Sequence, residues 1–353
     1  MSEASMLRID FAYPGDINAP TGGYGYDRRV MRELEGLGCD IRPIALPASF
    51  PYPTADDLAE TQRLLAGGDR DALAIDGLAY AVLPARLISA LTPRPLALVH
   101  HPLFLEAGLT SDMAARLRAS EQAALDCAGV VVTTSAMTAD IVEKEFSMPR
   151  ERLFFAPPGV DPAPRAQGSQ DGVVRLFSVG SLTPRKAYGD LVRALALVDG
   201  AWRLTIAGSL ELAPDHAHDI AALIASQGLG ERILLAGAMD ADDIAAGYAG
   251  ADIFVTPSHF EGFGMAITEA VARGLPVIAT REVAGAGAVP KSGALTYPAG
   301  DVQALAEYLE ALISDAALRA RLADGAWQAA RTQFRWSDTA QAFLAAVRAG
   351  AAA

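Results

Sequence analysis

Cysteine is nearly missing from this sequence. Cys39 and Cys127 are the only two in 353 residues. They lie far apart and form no C-x-x-C, which excludes a disulfide framework and reads as reduced core thiols of a cytoplasmic protein. Positive charge is also short: the net charge is -13, with 15 basic against 22 acidic side chains over 1–165 and 14 against 20 over 166–353. Neither half therefore offers a generally basic face to nucleic acid or anionic lipid. Arg28, Arg29 and Arg32 cluster on one predicted helix, where a solvated face is the plain reading. No long hydrophobic run exists, because the most apolar region, Leu73 to Val99, is broken by Asp76, Pro84, Arg86, Pro93, Arg94 and Pro95. An integral membrane span is thus not expected, nor is a secretory signal, since no basic segment precedes an apolar run at the start. No spaced His, Cys or acid cluster completes a metal site, and no G-x-G-x-x-G marks an NAD site.

What the chain does have is length and apolar content. Its 353 residues suit two domains, and 51% hydrophobic residues support well-buried parallel sheets. Leu7, Ile9 and Phe11 alternate as a half-buried strand, Pro14 to Gly25 read as a Gly/Pro loop, and Val30, Leu34 and Leu37 recur at helical spacing until Gly38. Ile41 to Leu46 resume a strand. Further strands are expected at Pro95–Val99, running into His100 and His101, and at Val130–Val132, after which Ser135 caps a helix. Alternating strands and helices of this kind predict a Rossmann-like domain. Pro157 to Gly172 has the composition of an interdomain connection. Beyond it, strands are expected at Val173–Val179, Trp202–Ala207 and Ile233–Ala236, and helices from about Tyr188, Asp301, Ala316 and Trp336.

The organising stretch is Phe254 to Thr280, FVTPSHFEGFGMAITEAVARGLPVIAT. It predicts a strand, a loop with Glu261, Gly262, Phe263 and Gly264, a helix from about Met265 carrying Glu269, and a strand from Pro276. Glycines at the loop-to-helix turn let the first free N–H groups of the helix approach an anion or hydroxyl. Upstream, Gly180-Ser-Leu-Thr-Pro-Arg-Lys puts Arg185 and Lys186 beside another helix N-terminus, where they can neutralise a diphosphate; a structural ion pair is the plain alternative. Gly22 and Gly23 either bring backbone N–H groups near a phosphate or simply form a surface loop.

The run from Glu261 to Glu269, followed by Gly274-Leu-Pro-Val-Ile, resembles the E-x7-E signature of the family-four retaining glycosyltransferases of the GT-B fold, also described as glycosyl transferases group 1. Pro157-Pro-Gly-Val-Asp161 resembles that family's P-x-G-V-D before its linker. The resemblance implies an α/β protein of two Rossmann-like, doubly wound parallel-sheet domains facing each other across a cleft. An acceptor-side domain would occupy 1–160, a linker 161–172 and a nucleotide-sugar domain 173–333, with a final helix in 334–353 crossing back to the first.

By the same resemblance, Glu261 faces the transferred sugar. Gly262, Phe263, Gly264 and Met265 hold its hydroxyls or the phosphates, and Glu269 binds the ribose. Arg185 and Lys186 neutralise the diphosphate, and Gly237 and Met239 hold the base. The paired glycines Gly22 and Gly23 approach the donor diphosphate or the acceptor, and one of His100 and His101, with His100 the first choice, contacts the donor sugar. Ala187-Tyr188 departs from the Gly that often follows the Lys.

The implied activity moves a hexose-type sugar from a nucleoside diphosphate sugar to an acceptor hydroxyl, with retention and without metal or other cofactor. The acceptor would be a small molecule, glycan or lipid, and peripheral membrane association stays open. Alternatives are a non-catalytic nucleotide-sugar binding protein or a GT-B nucleotide-sugar epimerase.

Overall fold

The computed structural model describes residues 6–351 except 68, 107, 285 and 286. In chain order it holds β1 (Arg8–Pro14), α1 (Gly22–Gly36), β2 (Asp40–Leu46), α2 (Ala55–Leu65), β3 (Ala72–Asp76), α3 (Gly77–Tyr80), α4 (Ala85–Ile88), β4 (Leu96–Val99), α5 (Ser111–Leu125), β5 (Val130–Thr133), α6 (Ala136–Phe146) and β6 (Leu153–Phe155). Then follow β7 (Val174–Val179), α7 (Tyr188–Leu195), β8 (Trp202–Ala207), α8 (Pro214–Ser226), β9 (Ile233–Gly237), α9 (Ala241–Gly250), β10 (Ile253–Thr256), α10 (Met265–Ala272), β11 (Val277–Thr280), α11 (Arg281–Ala284), β12 (Ala294–Tyr297), α12 (Val302–Ser314), α13 (Ala316–Ala329) and α14 (Trp336–Ala351). The chain forms two compact units, one ending at Gly159 and resuming at Phe334, the other Val160–Gln333.

In the first unit six parallel strands lie in the order β2-β1-β3-β4-β5-β6. The order reverses between β1 and β3, and ligands of open α/β sheets bind at the carboxyl ends of the strands beside such a reversal. β1 is buried on both faces, not one as its alternation suggests, because Asp10, only 5% exposed, is neutralised by Arg42 and Arg70. A polar residue thus stands in a buried strand without unpaired charge. The core beneath joins Ile75, Ala97 and Val131 of the strands to Tyr80, Leu125, Val142 and Phe146 of the helices. The last helix belongs to this unit: Phe343 stacks on Phe11 at 6.0 Å, and the Thr339 hydroxyl donates to the Pro157 carbonyl at 2.7 Å.

The second unit orders its six parallel strands β12-β11-β10-β7-β8-β9, reversing between β7 and β10. Side chains alternate across β7. Leu176 joins a core with α7, α8 and α12, while Phe177 joins one with Tyr248 of α9 and Ile267 and Val271 of α10. Helices thus cover both faces, as parallel strands require. Residues 161–172 run along this unit, with Ala166 N–H donating to the Arg273 carbonyl at 2.8 Å and Ser169 N–H to Asp252 at 3.1 Å. Their Pro, Gly and polar content suits such a strap as well as a free linker.

Candidate active site

The loops that leave β7 and β10 carry the first group of functional side chains. After β7, a short 3-10 turn, Pro184–Lys186, ends at Ala187 in the left-handed conformation, with φ 52°, and α7 begins at Tyr188. After β10 the chain runs through Ser258 and Glu261 to Gly264, whose φ of 94° starts α10 without a capping side chain. A glycine suits that conformation, and it leaves the first-turn N–H groups of α10 without a local side-chain acceptor. Phe263 packs partly buried against the core on the α10 side of the sheet.

The structure brings Arg185, Lys186 and Glu261 together. Arg185 Nη1 lies 3.0 Å from Glu261 Oε2, and Lys186 Nζ donates to Oε1. Ser258 Oγ donates to the same Oε1 at 2.7 Å, and Arg185 also donates to the Phe260 carbonyl at 2.7 Å. Burial would raise the Glu261 carboxyl, but the Lys186 and Arg185 charges, with hydrogen bonds from Lys186 and Ser258, bring it down to about 2. Two cations and one carboxylate leave the cluster at +1 (2 − 1). Gly180 matters here, since a Cβ on it would lie 2.8 Å from Lys186 Cε. The ion pair is therefore present, and it is part of the same cluster as the expected sugar-facing acid.

Glu269 sits apart from that group, on α10, where Oε2 lies 3.0 Å from the Tyr248 hydroxyl. Burial raises its carboxyl, opposed by the Tyr248 hydrogen bond and the Arg273 charge. Arg273 lies over the Tyr248 ring at 4.8 Å. Gly237 ends the edge strand β9 with φ 72°, its carbonyl accepting from Gly208 N–H at 2.8 Å, and Met239 packs against the core that contains Tyr248.

In the first unit the expected glycine loop is shorter than its sequence suggests. Gly22 and Gly23 form the first turn of α1, not a loop, because Thr21 Oγ1 accepts from Tyr24 N–H at 3.3 Å and caps the helix there. His100 and His101 part company. His101 Nε2 meets Glu106 at 3.0 Å, whereas His100 Nε2 lies 3.1 Å from Asp27 and 3.2 Å from Asp76. This corrects the expectation that no acids complete a cluster with the histidines. The three ligand-type atoms of Asp27, Asp76 and His100 lie within 4.8 Å of one another, a donor set that a divalent cation also accepts. Burial works to lower the His100 imidazole, but the Asp27 charge and the hydrogen bonds to Asp27 and Asp76 raise it to about 10. Burial and the Asp76 charge push Asp27 up to about 7, against the opposing effect of His100. Sequence reasoning missed Asp27 and Asp76, and it also missed Ser258, Tyr248 and Arg273.

The model of the family described as glycosyl transferases group 1 matches residues 161–328. The match covers the greater part of the second unit, which is similar to the glycosyl transferases group 1 family there. The matched range holds Arg185, Lys186, Gly237, Met239 and the whole of Glu261 to Glu269. D-inositol 3-phosphate glycosyltransferase of Xylanimonas cellulosilytica is 30% identical over 65% of this chain and 58% of its own length. The protein of the same description from Kineococcus radiotolerans is 30% identical over 69% and 62%. The chain thus spans about three fifths of the curated relatives it matches. Among solved structures, sucrose-phosphate synthase from Thermosynechococcus elongatus superposes with TM-score 0.81 at 19% identity over 96% of this chain and 98% of that one. Anabaena HepE in complex with UDP and glucose gives 0.74 at 17% over 96% and 99%. This chain shares with them the GT-B architecture of two Rossmann-like domains. Among its described residues no helix is long and apolar enough to cross a membrane.

Proposed function

We propose that this protein transfers a hexose-type sugar from a nucleoside diphosphate sugar to an acceptor hydroxyl, retaining anomeric configuration. The observation that carries the reading is the Arg185–Glu261–Lys186 cluster at the strand-order reversal of the second sheet, next to a helix entered through glycine. An excess positive charge there suits a diphosphate leaving group, and fixed cations at the developing charge are a large source of transition-state stabilisation. Arg185 and Lys186 would take the leaving charge in place of a divalent metal. Glu261 would meet the sugar, the backbone of Gly262 to Met265 its hydroxyls or the phosphates, Glu269 the ribose, and Gly237 with Met239 the base. His100, beside the first turn of α1 at Gly22 and Gly23, would contact the sugar. HepE was solved with UDP and glucose, which makes UDP the first nucleotide to try.

The test is a thermal-shift screen of UDP, GDP and ADP on wild type and Glu269→Ala, with donor hydrolysis in the absence of acceptor. A ligand at a hundred times its dissociation constant stabilises by about 2.7 kcal/mol. The expected result is a rise in melting temperature with one nucleotide, its loss in Glu269→Ala, and slow release of that nucleotide from its sugar. Binding without any release would leave a nucleotide-sugar binding protein, and no binding would remove the donor site from 185–269.

A further inference from the structure

His100 reaches its place with two carboxylates that the transfer reading does not use. Asp27 lies on α1 after β1, Asp76 ends β3, and His100 follows β4; β1 and β3 are the strands between which the first sheet reverses. The side chains of Asp27 and Asp76 are 0% and 3% exposed, while His100 keeps 22%. The imidazole is confined on its other sides as well. Tyr26 meets it edge-on at 5.2 Å and a Cβ on Gly23 would lie 3.4 Å from its Cδ2, while the His100 backbone carbonyl accepts from the Thr134 hydroxyl at 3.2 Å. With Nε2 directed at both buried carboxylates, Nδ1 is the remaining polar atom of a ring that keeps some exposure.

We propose that Asp27 and Asp76 are positioning residues: they hold His100 through Nε2–H and present Nδ1 to a hydroxyl of the sugar or acceptor at this end of the first sheet. The orientation is built before any ligand arrives, so the reaction does not have to spend binding energy on it. The inference rests on the transferase reading for its role and on the geometry for its existence. Asp27 is the simpler probe of the two, because its Oδ1 meets His100 and its Oδ2 has no hydrogen-bond partner among the described residues; an Asn there alters the His100 contact and the contact with the neighbouring Asp76 carboxyl. Asp76 also caps Leu78 N–H through Oδ1 at 2.8 Å, a task that Asn performs equally.

The experiment compares wild type, Asp27→Asn, Asp76→Asn, His100→Ala and the double variant Asp27→Asn/His100→Ala, with UDP-glucose as donor probe and release of UDP as readout. Asp27→Asn is expected to lower kcat roughly 10–100-fold with KM within about twofold, as loss of an orienting partner does. Added to His100→Ala it should cost less than about twofold more, since the two act through one side chain. Equal losses in both backgrounds, or an unchanged kcat in Asp27→Asn, would overturn the proposal. So would a stoichiometric divalent metal in purified wild type that Asp27→Asn loses together with its activity. Long-range 1H–15N spectra of the imidazoles decide the geometry without turnover: one histidine should show a protonated Nε2, vanish in His100→Ala and shift in Asp27→Asn and Asp76→Asn. An unprotonated Nε2 at His100 overturns the proposal even in an active enzyme. A wild type that neither binds nucleotide nor releases UDP counts against the transferase reading alone.

Discussion

At the strand reversal of the second sheet two cations serve one carboxylate; at that of the first, one imidazole serves two. With His100 and both aspartates charged, the first cluster stands at −1 (1 − 2) and the second at +1 (2 − 1). Both use the same element of topology, the diverging loops at carboxyl strand ends, and they are filled with opposite chemistry. The second suits a phosphate, the first a hydroxyl donor or acceptor. The carboxyls record the difference: Glu261 is drawn down to about 2, Asp27 pushed up to about 7.

The comparison breaks hardest at Glu261. Replacing it by Ala removes the carboxylate that Arg185 and Lys186, 21% and 16% exposed, share. Removing one partner of a buried pair costs about 3–5 kcal/mol, and the low end applies where the cations keep some contact with water. Glu261→Ala should therefore lower the urea midpoint by an amount worth about 3 kcal/mol, and Glu261→Gln, which still accepts from Ser258, by clearly less. Equal stability of Glu261→Ala and wild type would mean that the three charges are solvated independently.

A smaller effect separates the units by pH. The Glu261 carboxyl is depressed from 4.5 to about 2, so its contribution is complete above pH 4.5 and is lost as pH falls through 2. The first unit carries the opposite case in Glu121 on α5, 2% exposed, its Oε2 accepting from Leu103 N–H at 3.1 Å. Burial raises this carboxyl to about 8, against that hydrogen bond. Between pH 4.5 and 8 the folded state keeps a proton that the unfolded chain has released, so stability falls as pH rises across that window. Denaturation midpoints measured from pH 3 to 9 should show Glu121→Gln flattening the alkaline fall and Glu261→Gln the acid one. If both variants shift the same limb, the contrast between the units is not electrostatic.

How far sequence reached follows the same division. The charged cluster of the second site comes from two short runs, 174–195 and 254–280, each holding a strand, loop and helix whose periodicity and glycines can be read locally. The turn at Gly264 and the start of α10 at Met265 stand where the pattern puts them. Asp27, Asp76 and His100 instead come from three strand units, and only the order β1-β3-β4 makes them neighbours. No spacing rule reports that. Gly22 and Gly23 were hidden for another reason, since glycine disfavours helix interiors and the Thr21 cap overrides it at the first turn. Asp10 disguised β1 as half-buried because its partners, Arg42 and Arg70, lie 32 and 60 residues away.

The smallest expected effect tests why the family's frequent glycine is replaceable in the turn beside the basic pair. Ala187 occupies φ 52°, ψ 34°, a left-handed conformation, at 7% exposure. A Cβ there costs about 1–2 kcal/mol. Ala187→Gly removes that strain but adds freedom to the unfolded chain, worth about 0.5–1 kcal/mol in the other direction. The balance should stabilise by about 0.5 kcal/mol, a rise in the urea midpoint just above measurement error. Because the turn sets Arg185 and Lys186 against Glu261, the backbone in Ala187→Gly should keep its course and the rate of donor hydrolysis should stay within about twofold. A stabilised but slower variant would show that the strained alanine holds the two cations in register, and the second site would then owe its geometry to a departure from the family's usual residue.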